Sequence, residues 1–252
     1  MIIDLATVWL VCVLCLGMFV QSAAGFAGGL LIVPTLLWSG YSIPEAQTSL
    51  LVATIPQNIW GVWSFRDTAE PRRLVWPGVA RLAMLPVGVA VLFWMESFSI
   101  VRLRQIVGAA VLLATLATVS FRPKPRHRLH PVWSWLAFPV SGFFQGVVGM
   151  GGPPMVLWVQ AHDWDTRRSR AFLFSMYLIS VIPAIVVLFL FFGSRVIAPG
   201  ITAALATPLS WLSSWAGLKA GTALGKANLK RVTVVLLLLM GLAGLAAPWI
   251  GR

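Results

Sequence analysis

The sequence predicts an all-α polytopic membrane protein of two inverted repeats, each a broken or re-entrant helical hairpin followed by three transmembrane helices. Three observations carry that prediction. Of 252 residues, 59% are hydrophobic and 10% charged, whereas a soluble domain carries about 25% charged residues. Apolar stretches of the length a bilayer span needs, about 20 residues, recur from one end to the other. Glycine and proline motifs of the first half also return in the second, in the same order.

The first apolar stretch, 5–41, is interrupted by QSAAGFAGGLLIVP, Gln21 to Pro34. Only Asp4 precedes it, with no Lys or Arg, so it lacks the basic start of a secretory signal and reads as a retained membrane segment. Stretches 46–65, 74–95 and 101–120 follow, and then the basic run RPKPRHRLH, Arg122 to His130. The second broken stretch, 132–161, holds QGVVGMGGPPMVLW, Gln145 to Trp158; stretches 171–192, 196–218 and 231–250 complete the chain. Trp63, Trp76, Trp94, Trp133, Trp135 and Trp164 stand near stretch ends, where amphipathic rings anchor spans at the interface.

The repeat is read from three matches. Gln21, Gly25 and Gly28 recur as Gln145, Gly149 and Gly152, a shift of 124; Pro77-Gly78 and Pro86 recur as Pro199-Gly200 and Pro208, a shift of 122. RLRQIVGAAVLLATLA then aligns with NLKRVTVVLLLLMGLAG at a shift of 126. Near-constant shifts in order are the mark of an internal duplication. The boundaries are 1–121 for the first repeat, 122–131 for the basic linker and 132–252 for the second.

Charge sets the topology. If each broken stretch returns to the side it entered, as a re-entrant hairpin or as two short spans, fourteen basic residues share one face and four the other. If each crosses once, the division is nine against nine. The positive-inside rule selects the first arrangement, with the linker in the cytoplasm and both termini outside. The repeats are then inverted. The net charge of +12 is accounted for by these loops, so no nucleic-acid partner is implied; the partner is the lipid bilayer. No pattern sets an oligomeric state.

Non-helical backbone survives at membrane depth only where protein or a watery cavity satisfies it. Two glycine breaks entering from opposite faces would meet near the midplane and offer half-helix N-termini to an anion. Gly25, Gly28 and Gly29 in the first break, and Gly149, Gly151 and Gly152 in the second, permit close backbone approach. Pro153-Pro154 suits the first turn of the helix that follows. The alternative is helix packing by small residues, for which Gly25 and Gly29 have the G-x-x-x-G spacing.

The motifs GFAGGLLIVPTLL and GFFQGVVGMGGPPMVL resemble those of the sulfite exporter TauE/SafE family, and the likeness spans nearly the whole chain. That resemblance implies secondary transport, usually export, of a small sulfur-containing anion such as sulfite or an organosulfonate across the cytoplasmic membrane. It implies no cofactor.

Away from the ends of the stretches, Arg81 is the only full charge and a natural partner for an anion, although its long side chain also has the reach to snorkel to the loop. Its repeat counterpart is Ala203. Neutral donors at membrane depth complete the candidate substrate site: Gln21, Ser22, Thr48, Ser49, Gln57, Asn58, Gln145, Ser175 and Tyr177, with Thr54 and Ser180 assigned to helix–helix bonding. Asp4, Glu45, Asp67, Glu70, Glu96, Asp163 and Asp165 all lie outside the stretches, so no buried carboxylate relay is visible.

Cys12 and Cys15, one turn apart, read as packing residues, with a redox role as the alternative. The chain has no H-E-x-x-H, no G-x-S-x-G and no acid–histidine cluster at membrane depth, which argues against an enzyme. An anion channel of the same architecture is the alternative to the carrier.

Overall fold

A computed structural model describes residues 4–24, 27–120, 125–127, 129–224 and 226–250. The described residues form helices and short connections, with no strand among them. The first half contains α1 (Leu5–Ala24), α2 (Gly28–Trp38), α3 (Ile43–Ser64), α4 (Pro71–Met95) and α5 (Ile100–Ser120). The second contains α6 (Pro131–Val148), α7 (Gly152–Gln160), α8 (Thr166–Phe192), α9 (Ile197–Leu205), α10 (Thr207–Leu224), α11 (Lys226–Leu245) and the short α12 (Ala247–Ile250). Among the described residues, four segments are long and apolar enough to cross a membrane: Leu5–Ala23, Pro71–Met95, Ile100–Ser120 and Thr166–Leu205. The chain is an all-α polytopic membrane protein.

Each broken stretch is a long helix followed by a short one. With a rise of about 1.5 Å per residue, α1 is long enough to span a bilayer and α2 covers roughly half of one. Both pairs fold back on themselves. The Tyr41 hydroxyl, just beyond α2, donates to the Ala6 carbonyl at the start of α1 (2.9 Å), and the Trp9 indole donates to the Ser39 hydroxyl (2.5 Å). In the second pair the Trp158 indole on α7 donates to the Ser134 hydroxyl near the start of α6 (3.0 Å).

Local chemistry sets the element ends. α3 starts on a capping box in which the Glu45 carboxylate accepts from both the backbone N–H and the hydroxyl of Ser42, each at 2.7 Å. α6 ends at Gly149, whose φ of 70° is left-handed. α7 begins with Gly152-Pro153-Pro154, so its first turn is proline-rich, as the sequence predicts. The Asp165 side chain caps α8 by accepting from the Arg168 N–H at 2.7 Å. The stretch expected to run unbroken over 196–218 divides at Ala206, because Pro208 in the first turn of α10 has no N–H to continue the ladder. Pro86, with which the sequence aligns it, is carried inside a continuous α4.

α4 lies along α6 as α10 lies along α1, and α4 lies on α8 as α3 lies on α9. α3 packs on α8, and α5 on α11. Close approach at the α4–α6 seam is set by glycine: a side chain on Gly88 would meet the Phe143 carbonyl, one on Gly142 the Arg81 carbonyl, and one on Gly146 the Leu85 carbonyl. The main core gathers Leu14, Ile32, Leu36, Leu37, Leu92 and Val111 between these seams. Trp63, Trp94, Trp133 and Trp135 are exposed on the rim, as anchors should be, but Trp164 turns inward against Trp158 and Phe172.

Candidate anion site

The tips of the two hairpins meet. The side-chain position that Gly29 leaves empty lies 3.1 Å from the Gly149 carbonyl oxygen, and that of Gly149 lies 3.3 Å from Val33 of α2. Beside this junction α1, α2, α3, α4, α6, α7 and α8 enclose a cavity of about 60 Å³, room for several waters. Its wall includes Gln21, Gly29, Asn58, Arg81, Gln145, Gly149, Gly152, Pro153 and Tyr177.

Arg81 defines the chemistry. It is 1% exposed, so it does not snorkel. Its Nη1 donates to the Ser141 hydroxyl and to the Gly151 carbonyl (3.3 Å), and its Nη2 donates to Gln145 Oε1 (3.3 Å). The guanidinium also faces the Tyr177 ring, 5.8 Å from its centroid. Every one of these partners is neutral. Among the described residues no carboxylate pairs with Arg81, and its buried Nε–H has no acceptor. An uncompensated buried cation costs several kcal/mol, so a site that retains one gains most when an anion enters.

Gln145 holds the second break in place. Its Oε1 accepts from the Gly151 N–H (3.3 Å) as well as from Arg81, and so ties the turn after α6 to the guanidinium. A side chain on Gly152 would stand 2.8 Å from the Tyr177 hydroxyl, so glycine leaves the tyrosine room to face the cavity. In the first break, Gln21 donates from Nε2 to Gln57 Oε1 (3.4 Å) and fills the space a Gly28 side chain would need. Asn58 is 2% exposed and makes no hydrogen bond from its amide among the described residues, which leaves that group facing the cavity.

The other expected residues lie elsewhere. Gln57, Gly28 and Gly151 stand behind the cavity wall and support it. The hydroxyls of Ser22 and Thr48 are buried without partners away from the cavity, and Ser49 donates to the Glu45 carbonyl at 2.9 Å. Ser175 faces a separate, smaller pocket near Glu70 and Arg168. Gly25 lies outside the described residues. Cys12 is exposed and Cys15 half-buried on α1, and neither lines the cavity.

Sequence reasoning missed Leu50, Leu51, Thr54, Ser180 and Val181, all of which line the cavity. Thr54 and Ser180 do not bond between helices; they donate to carbonyls of their own helices, at 2.8 Å to Leu51 and to Met176 respectively. Helical spacing was the available signal: 51, 54 and 58 on α3, and 177, 180 and 181 on α8, each fall on one face. Gln47 was missed as well; buried at 1% exposure, it donates to the Gly146 carbonyl at 3.3 Å and ties α3 to the end of α6.

Two broken hairpins thus meet beside a cavity lined by a buried cation and by neutral donors. The family model for the sulfite exporter TauE/SafE matches residues 9–244. The chain belongs to that family, which implies membrane export of an anion. No curated protein and no solved structure matches the chain.

Proposed function

We propose that this protein is a secondary transporter that exports sulfite or an organosulfonate by alternating access around the cavity between the hairpin tips. The carrying observation is Arg81, buried in the cavity wall with only neutral partners. The substrate supplies the missing negative charge, and Gln145, Tyr177 and Asn58 orient it through neutral groups.

Two inverted repeats supply the moving parts in this reading. Its support is that helix packing survives exchange of the halves, α4–α6 for α10–α1 and α4–α8 for α3–α9, and that both hairpins fold back toward their own starts. The charge count of the loops supports a cytoplasmic linker, outer termini and residence in the cytoplasmic membrane.

The test is flux in proteoliposomes of the full chain, with sulfite, thiosulfate, sulfoacetate, taurine and sulfate offered in turn. Saturable transport of one sulfur anion supports the proposal. No flux of any of them in folded protein removes the substrate class.

A further inference from the structure

At the linker end of the bundle lies a second and larger cavity, about 400 Å³, lined by Arg73, His127, His162, Asp163, Trp164 and Arg168. The linker residue Arg126 is docked there. The Arg126 N–H donates to the Ala161 carbonyl (3.0 Å), and the Asp163 N–H donates to the Arg126 carbonyl (3.2 Å). Arg73 and Arg168 both pair with one carboxylate, Glu70, so two guanidiniums share a single counter-charge. Both also lie over the Trp164 ring, at 5.8 and 5.0 Å from its centroid, and Arg168 Nε is buried with no acceptor. His127 lines the same wall, and His162 directs its Nδ1–H to the Trp158 carbonyl at 3.0 Å.

This cavity lines up with the central one. Arg73 and Arg81 are eight residues apart on α4, about 12 Å along the helix. Between them sits a small buried cluster of Phe138, Met155, Val159, Phe172 and Met176. Met155 touches Arg81 on one side, its sulfur 4.0 Å from Nη1, while Phe172 meets Trp164 edge-on, centroids 5.5 Å apart, on the other. An apolar plug thus separates two cationic cavities along one line.

We propose that the linker-end cavity is a second anion site, a loading station that holds a small oxyanion before the plug opens toward Arg81. This rests on the transport reading for its direction but not for its chemistry. The ligand it fits is a soluble oxyanion with at least two oxygens, bridging Arg73 and Arg168 in competition with Glu70. Asp163, on the same cavity and without an ion pair among the described residues, weakens the site.

The test is calorimetric titration of the full chain in nanodiscs with sulfite under anaerobic conditions, on an Arg81→Gln background so that only the second site reports. Binding is expected to persist there, to weaken with Arg168→Gln, and to tighten with Asp163→Asn by about fivefold, the effect of one unit charge about 4 Å away in water-like surroundings. A structural role for these residues gives no such opposition of sign.

If wild-type protein binds sulfite and the Arg81→Gln protein does not, the second site is overturned and the central one stands. Binding that ignores both Arg168→Gln and Asp163→Asn also overturns it. A parallel titration in nanodiscs containing phosphatidylglycerol separates the sources: displacement of sulfite by lipid phosphate overturns the assignment to a soluble anion.

Discussion

Replacing Arg81 by glutamine should divide function from stability. The substitution removes a charge-assisted contact to the anion, worth about 1.5–3 kcal/mol, and so lowers flux roughly 10- to 100-fold. It also removes a buried cation that no carboxylate compensates. The melting temperature of the purified protein should therefore stay level or rise, because an unpaired buried charge opposes folding. Gly149→Ala acts in the opposite way: its φ of 70° costs a non-glycine residue about 1–2 kcal/mol, and its side chain would press on Gln47. Thermal unfolding of that variant should occur at lower temperature while Arg81 is untouched.

Residue chemistry was partly legible in advance. Arg81 stands out in any hydropathy reading, but its partners Ser141 and Gln145 come from another helix about sixty positions on, which no local pattern reveals. Ser175 and Tyr177 were grouped because both are polar. Two positions apart on one helix they are turned roughly 200° from each other, so only Tyr177 reaches the cavity. The same geometry separates Gln57 from Asn58. Ser22 and Thr48 show the converse, polar groups buried at the right depth that face no cavity.

At the element scale the α4–α6 seam positions the site, since Arg81 and Gln145 stand on its two sides. Gly142→Leu or Gly146→Leu would drive a side chain into backbone carbonyls of α4. Overpacking of this kind typically costs about 1–3 kcal/mol, and should appear as loss of monodisperse protein in size-exclusion chromatography together with loss of flux. The helices themselves were legible from apolar length. The break at Ala206 was not, because Pro86 and Pro208 look alike in sequence, and only packing decides which proline a helix carries.

The turn between α7 and α8 gives a pH prediction. His162 is wedged against Trp158 and Trp164, its Nδ1 3.0 Å from the Trp158 carbonyl oxygen. Burial first, then the nearby charges of Arg73 and Arg168, holds its pKa below the ordinary 6.5, against the opposing bond to Trp158. The unfolded chain therefore takes up this proton before the folded one does. Stability is highest above pH 6.5 and falls as the pH drops through that value, until the folded-state pKa is passed. Thermal unfolding of His162→Gln should show less acid sensitivity over that window than the parent chain.

Over the whole molecule, acidic residues are confined to the two ends. Asp67–Arg167 and Glu70–Arg168 join the α3–α4 connection to the start of α8, while Glu96–Arg195 joins the far ends of α4 and α8. Asp4, Glu45 and Asp165 sit at helix starts, and Asp163 lines the linker-end cavity. None of the seven acidic residues lines the central cavity. Flux should then follow the membrane potential, which supplies about 2.3 kcal/mol per elementary charge per 100 mV, and should be indifferent to an imposed proton gradient. A valinomycin-set potential and a pH jump, applied separately to the same liposomes, distinguish the two.

The central claim is that a carrier site for a small sulfur anion surrounds Arg81. Sulfite counterflow most directly tests it, with liposomes preloaded with unlabelled anion and labelled anion added outside, for the parent chain and for Arg81→Gln. A transient, saturable overshoot is expected in the parent and none in the variant, with the variant melting no lower. An overshoot of equal size in the Arg81→Gln protein, or a flux that never saturates, would contradict it.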